Sequence, residues 1–218
     1  MIVNWNWKVG ALALGWLLTL VMYVLAWAFP TFPGDEAALV RFQELQTPWL
    51  TVLLRGVSRL GWWPVSFLLV TATVLALLWR RHRADALLLA LMVFPIALGL
   101  GLKLVVGRPR PEYSIIDQIP GTLSFPSGHA LFAILFGGLL IFLAQERVSS
   151  PRARRALQVG LALLILAVGA SRVYLGVHWP SDVIGGYLLG GLALPELIRW
   201  RNRLKLRRDQ SGKGDATV

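Results

Sequence analysis

Residues 125–143 read FPSGHALFAILFGGLLIFL. A proline, a hydroxyl, a glycine and an imidazole lead straight into an apolar segment that carries no charge. From Ser127 to about Leu143 the segment approaches the roughly 18–20 residues a helix needs to cross a bilayer. That reading decides the fold class, because in lipid each backbone polar group must be satisfied within the chain, and a helix does this locally. The helix would turn its free first-turn amides and partial positive charge back toward the polar run, which makes that end a natural seat for an anion.

Outward from this stretch the pattern repeats. Apolar runs cover about 10–29, 64–79, 87–102, 157–171 and 180–198, and short polar or Pro-rich segments separate them. The fold expected is an all-α membrane protein with six transmembrane helices. A short interfacial helical region is expected in the first outside loop, residues 31–61. There Asp35 and Glu36 open one helical pattern. Thr47 then Pro48 reads as a cap followed by a first-turn proline. Leu50, Leu53, Leu54 and Val57 recur at helical spacing after it, with Arg55 and Arg59 on another face. Pro95 should kink the third span, and Gly99 and Gly101 should let it approach a neighbour closely. Residues 1–198 read as one six-span domain and 199–218 as a basic cytoplasmic tail. The first run reads as an uncleaved span and not a signal peptide, since the segment before it is barely basic.

Composition agrees. Of 218 residues, 56% are apolar and 15% charged, which no water-soluble chain of this size requires. Ten tryptophans suit membrane interfaces. The absence of cysteine removes disulfide and thiol chemistry. A net charge of +11 in another setting would suggest nucleic acid. Here the charges lie in short loops and a tail between spans, so topology explains them and no nucleic-acid partner is expected. Lys8, the 80–83 loop, the 147–155 loop and the tail together hold 15 of the 22 Lys and Arg. Positive residues favour the cytoplasmic side, so both termini are expected inside, in a cell inner or plasma membrane.

The other face receives three polar runs: KLVVGRPRP at 103–111, FPSGH at 125–129 and SRVYLGVHWPSD at 171–182. They collect Lys103, Arg108, Arg110, Arg172, two of the three histidines and Asp182. Ionisable residues at membrane depth are expensive and mark function. Arginine forks suit phosphate oxygens. Ser127 and the backbone at Gly128 add neutral donors. His129 and His178 can serve as nucleophile and acid, and residue chemistry alone leaves open which attacks. Asp182 follows His178 by four residues, so in a helical segment it can hold one ring nitrogen and leave the other free. The acids are scattered, so no metal site and no cofactor are expected.

In these residues the chain resembles the type 2 phosphatidic acid phosphatase family of membrane lipid phosphatases. That family carries Lys, six residues, Arg-Pro; then Pro-Ser-Gly-His; then Ser-Arg, five residues, His, three residues, Asp. The matching positions are Lys103 with Arg110-Pro111, Pro126 to His129, and Ser171-Arg172 with His178 and Asp182. The resemblance implies His178 as nucleophile forming a phosphohistidine, Asp182 as its orienter, and His129 as acid and then base. Lys103, Arg110, Ser127, Gly128 and Arg172 would hold the phosphoryl oxygens, without a metal. Arg108 lies outside the motif and has two open readings, the second phosphate of a diphosphate or a lipid headgroup. The implied reaction is hydrolysis of a lipid phosphate or diphosphate on the outer face. Undecaprenyl diphosphate, recycled during peptidoglycan synthesis, comes first; phosphatidylglycerophosphate or phosphatidic acid comes next, then a lipid A phosphate. A non-enzymatic lipid-binding protein would need the cations but neither histidine. A haloperoxidase built on the same cradle would be soluble. Oligomeric state is open.

Overall fold

The computed structural model describes residues 5–116 and 122–214, and every regular element among them is an α-helix. In chain order these are α1 (Trp5–Ala28), α2 (Asp35–Glu44), α3 (Pro48–Arg59), α4 (Trp63–Trp79) and α5 (Arg83–Ala90). There follow α6 (Val93–Val106), α7 (Gly128–Arg147), α8 (Pro151–Tyr174) and α9 (Pro180–Gly214). Proline stands in the first turn of α3, α4 and α8 and opens α9, where its missing N–H costs nothing.

Among the described residues five stretches are long and apolar enough to cross a membrane: Gly10–Ala28, Arg83–Val106, Gly128–Arg147, Pro151–Tyr174 and Pro180–Lys205. A sixth candidate is a bent pair, in which α4, of 17 residues, joins α3 at 54°. The third span is also two helices in one path. Pro95 has no N–H for the Leu91 carbonyl and its ring crowds that oxygen. The Phe94 amide reaches Leu91 O instead, at 3.1 Å, and the helix is interrupted at Leu91 and Met92.

α7 lies at the centre, packed by α8 and α9 and touched by α5 and α6. Leu131, Leu135 and Leu139 face a core shared with Leu88, Leu89, Met92 and Leu189. Ala133 faces Ile165 and Val168. Lipid is as apolar as these side chains, so close packing and not water exclusion holds the helices together. Gly186 shows how close: a Cβ there would stand 2.6 Å from the Ser127 carbonyl, so the starts of α9 and α7 meet backbone to backbone. Of the two third-span glycines, Gly99 lies against α7, with Leu131 Cδ2 2.4 Å from its ideal Cβ. Gly101 faces open space and makes no helix contact.

The first loop is structured by tertiary contacts. Leu50 and Leu54 pack on Tyr174, Leu175 and Val177, and Val57 packs on the α7–α8 cluster, while Leu53 is left exposed. At the opposite end α9 does not stop near Ile198. It continues to Gly214, because Arg201 turns into the bundle, pairs with Asp85 and Glu146, and lies 5.0 Å from the Phe142 ring centroid.

Candidate active site

The three polar runs meet at one end of the bundle. The last turn of α6 carries Lys103, whose ammonium donates to the carbonyls of Leu123 at 3.0 Å and Ser124 at 2.9 Å. The segment before FPSGH is thereby tied to the helix carrying the first motif. Arg110 follows in the loop and donates to Val177 O at 2.8 Å, next to His178. Arg172, in the last turn of α8, reaches Ser58 Oγ on α3. Both guanidiniums keep a buried Nε with no partner. Among the described residues neither of these arginines, nor Lys103, has a carboxylate in ion-pair contact.

Ser127 caps α7: its oxygen accepts the Ala130 amide at 3.5 Å, and its own N–H donates to Asp182 O at 3.0 Å. Gly128 is exposed at the first helical position, so its backbone faces the open side. His129 comes next, partly buried, and its ring lies against Gly61 in the turn between α3 and α4. Lys103, Arg110, Arg172 and His178 all lie close enough to His129 to act on its charge.

His178 sits in the short loop before α9, almost fully buried. Its Nδ1 lies 3.3 Å from Asp182 Oδ2 and 3.3 Å from Ser124 Oγ. Asp182 Oδ2 also accepts the Trp179 N–H at 2.8 Å and the Ser124 hydroxyl. The carboxylate therefore holds Nδ1 and leaves Nε2 free. Burial, then the charges of Lys103, Arg110 and Arg172, push the His178 imidazole well below its ordinary 6.5. At neutral pH its ring is uncharged, the form in which Nε2 can attack. Burial likewise lowers Arg110 from its ordinary value, with the Asp182 charge opposing.

All eight expected site residues gather here. Arg108 has a different place from either one expected for it. Its side chain is fully buried between two carboxylates, with NH1 2.7 Å from Asp182 Oδ1 and NH2 2.7 Å from Asp35 Oδ2. It reaches neither headgroups nor an open cradle, because Asp35 from α2 holds it from behind. Sequence reasoning missed Asp35, Ser58, Ser124 and Ser181. Ser124 directly precedes FPSGH and extending that run by one residue would have found it. Asp35 and Ser58 lie far away in the chain and carry no local signal.

Such a site can attack, orient, protonate and neutralise around one tetrahedral anion, the parts list of phosphoryl transfer. Residues 86–206 match the model of the PAP2 superfamily. Phosphatidylglycerophosphatase B of Bacillus subtilis is 32% identical over 162 residues, covering 72% of this chain and 78% of that protein. An undecaprenyl-diphosphatase of Sulfolobus acidocaldarius is 30% identical over 189 residues, covering 80% and 85%. The crystal structure of a transmembrane PAP2-type phosphatidylglycerolphosphate phosphatase from Bacillus subtilis superposes with a TM-score of 0.77 at 25% identity, over 88% of this chain and 96% of that one. The shared domain, the multi-span fold and the convergent residues agree: this chain belongs to the PAP2 superfamily and is a membrane lipid phosphatase, a phosphoester hydrolase.

Proposed function

We propose that the chain hydrolyses undecaprenyl diphosphate to undecaprenyl phosphate and inorganic phosphate, through a phosphohistidine, without a metal. His178 Nε2 attacks the terminal phosphorus, and the bond from that phosphorus to the bridging oxygen breaks. His129 protonates the departing oxygen. It then takes a proton from water, which attacks the phosphohistidine, frees inorganic phosphate and restores His178. Asp182 balances the positive charge on the phosphorylated ring. Lys103, Arg110, Arg172, the Ser127 hydroxyl and the Gly128 amide meet the charge spreading over the phosphoryl oxygens. The observation that carries this reading is the His178–Asp182 contact at 3.3 Å set before three cations that lack carboxylates. Among the described residues no three His, Asp or Glu converge as a metal cage, so the cations are the available counter-charge.

Two observations support a lipid. An apolar cavity of about 170 Å³ lies between α4, α7 and α8, lined by Gly61, Phe132, Ala133, Phe136 and Ile165. Gly61 touches His129, and Ala133 is one helical turn beyond it, so hydrocarbon there would lie beside the chemistry. The excess of Lys and Arg on the opposite loops supports an outer-face site with both termini cytoplasmic. There the lipid diphosphate left by wall synthesis is presented.

A second reading, phosphatidylglycerophosphate, is favoured by the Bacillus subtilis relative. Phosphate release from a panel of prenyl diphosphates, phosphatidylglycerophosphate and phosphatidic acid, in detergent with chelator, separates them. The expected order places undecaprenyl diphosphate first, with turnover surviving the chelator. His178→Ala should cut kcat by at least about 10³-fold while the protein stays folded. Preference for the glycerolipid would replace the first reading with the second. Activity that only magnesium restores, or an active Ala variant, would overturn the metal-free phosphohistidine route.

A further inference from the structure

Arg108 is spent inside the protein. Its Nε donates to Pro30 O at 2.8 Å, and NH1 donates to Ser181 Oγ and Asp182 Oδ1, both at 2.7 Å. NH2 donates to Asp35 Oδ2 at 2.7 Å. Phe32 lies 4.8 Å below its guanidinium carbon, a cation–π contact that walls it from lipid. Asp35 is equally engaged. Besides Arg108 it accepts the Phe32 N–H at 2.9 Å, the Ser181 N–H at 2.9 Å and the Ser181 hydroxyl at 2.6 Å. The two oxygens of Asp182 divide the work: Oδ1 faces Arg108, and Oδ2 faces His178, Ser124 and Trp179.

We propose that Asp35 is a positioning residue that acts through Arg108 to hold Asp182 aimed at His178 and to leave a net negative charge behind the imidazole. A buried guanidinium serving Asp182 alone would cancel its charge. The carboxylate would then accept weakly from Nδ1 and offer little counter-charge to a phosphorylated imidazole. Asp35 claims the other side of the same guanidinium. Two carboxylates on one cation leave one negative charge in excess beside His178. That charge is felt by Lys103 from α6 and Arg110 from the loop, while Lys103, Arg110 and Arg172 from α8 act on His178 itself. The geometry also reaches the helix start. By holding the Ser181 amide, Asp35 satisfies a donor that the first turn of α9 leaves open, one residue from Asp182. A residue from the first loop is thus wired to the nucleophile without approaching the substrate.

The inference rests on the roles proposed for His178 and Asp182, and its test separates the two. Vanadate bonds to the attacking nitrogen and reports its nucleophilicity. Inorganic phosphate, the product, reports only the cradle's charge. Asp35→Asn, full length and in detergent, should lower kcat about tenfold and weaken vanadate inhibition similarly, with KM and phosphate inhibition held within about twofold. Vanadate and phosphate inhibition weakening together would mean general damage to the site and would overturn the proposal, as would wild-type kcat. If Asp35→Asn melts more than about 10 °C below wild type, Arg108→Lys takes its place, since it keeps the charge count and loses the shared fork. The same split between the two inhibitors is expected. Collapse of both variants would assign the triplet to folding alone and overturn the proposal. Wild-type enzyme indifferent to vanadate would defeat the His178 reading and this inference with it. The normal wild-type response alongside an unsplit variant would defeat only this inference.

Discussion

The two ends of the bundle both bury ionic clusters, and they differ in how the charges are matched. At the end away from the site Asp85 accepts from Arg147 and Arg201, and Glu146 accepts from Arg201 and Lys205. Each of these three cations meets a carboxylate. At the end that carries the site Arg108 meets Asp35 and Asp182, but among the described residues Lys103, Arg110 and Arg172 meet only carbonyls and a hydroxyl, and the Nε atoms of Arg110 and Arg172 have no partner. A matched buried cluster has nothing to offer a ligand and braces the fold. An unmatched one is an incomplete ion pair, and an anionic substrate completes it. Burial of charge is therefore a poor sign of function by itself, and the missing carboxylates are the informative feature.

The contrast is most exposed by removing one cation from each end. Arg201→Met leaves Asp85 and Glu146 short of their partner, and breaking such a buried pair should cost about 3–5 kcal/mol, read as a lower melting temperature in detergent. Activity per folded molecule should hold. Arg172→Met should do the reverse: turnover falls about 10²–10³-fold, as for loss of one transition-state donor, while the melting temperature changes little. Equal stability losses at both ends would erase the distinction.

A pH profile sharpens it next. In the proposed mechanism His178 attacks as the neutral ring, and burial and the unmatched cations depress its proton affinity below the ordinary 6.5. Acidification through 6.5 should therefore leave kcat/KM intact, with loss only well below it, on a substrate whose own ionisation is constant there. A midpoint at or above the ordinary value would mean the cations are not felt at the nucleophile. The smallest effect belongs to the rim of the matched cluster. Lys205 is 39% exposed, so Lys205→Ala should cost no more than about 1 kcal/mol, measured by denaturation at low and high salt.

Much of this was legible in the chain. The apolar runs and the first-turn prolines set helix starts by local rules, and α2, α3, α7 and α9 begin where those rules put them, with Thr47 at the cap position of α3 but making no side-chain cap bond. Helix ends were read less well. α9 passes Ile198 because Asp85, more than a hundred residues earlier, offers Arg201 a buried partner. The expected second span, α4, forms and joins α3 at a 54° bend that no local signal announced. Arg108 shows the limit most clearly. Two residues from Arg110 and of the same type, it is indistinguishable in sequence from a substrate ligand. Asp35, with Asp182, Ser181 and the Pro30 carbonyl, turns it inward.

The sequence by itself determined that the chain is helical and membrane-embedded, and that histidines, arginines and an aspartate stand at the edges of its spans. These are matters of run length, hydropathy and spacing, and each is local. The tertiary structure decided which of those charges are matched and which are left for a phosphate, because pairing depends on carboxylates brought from distant helices. Whether a buried arginine supports the fold or awaits a ligand is settled by what stands opposite it, and no stretch of chain contains both partners.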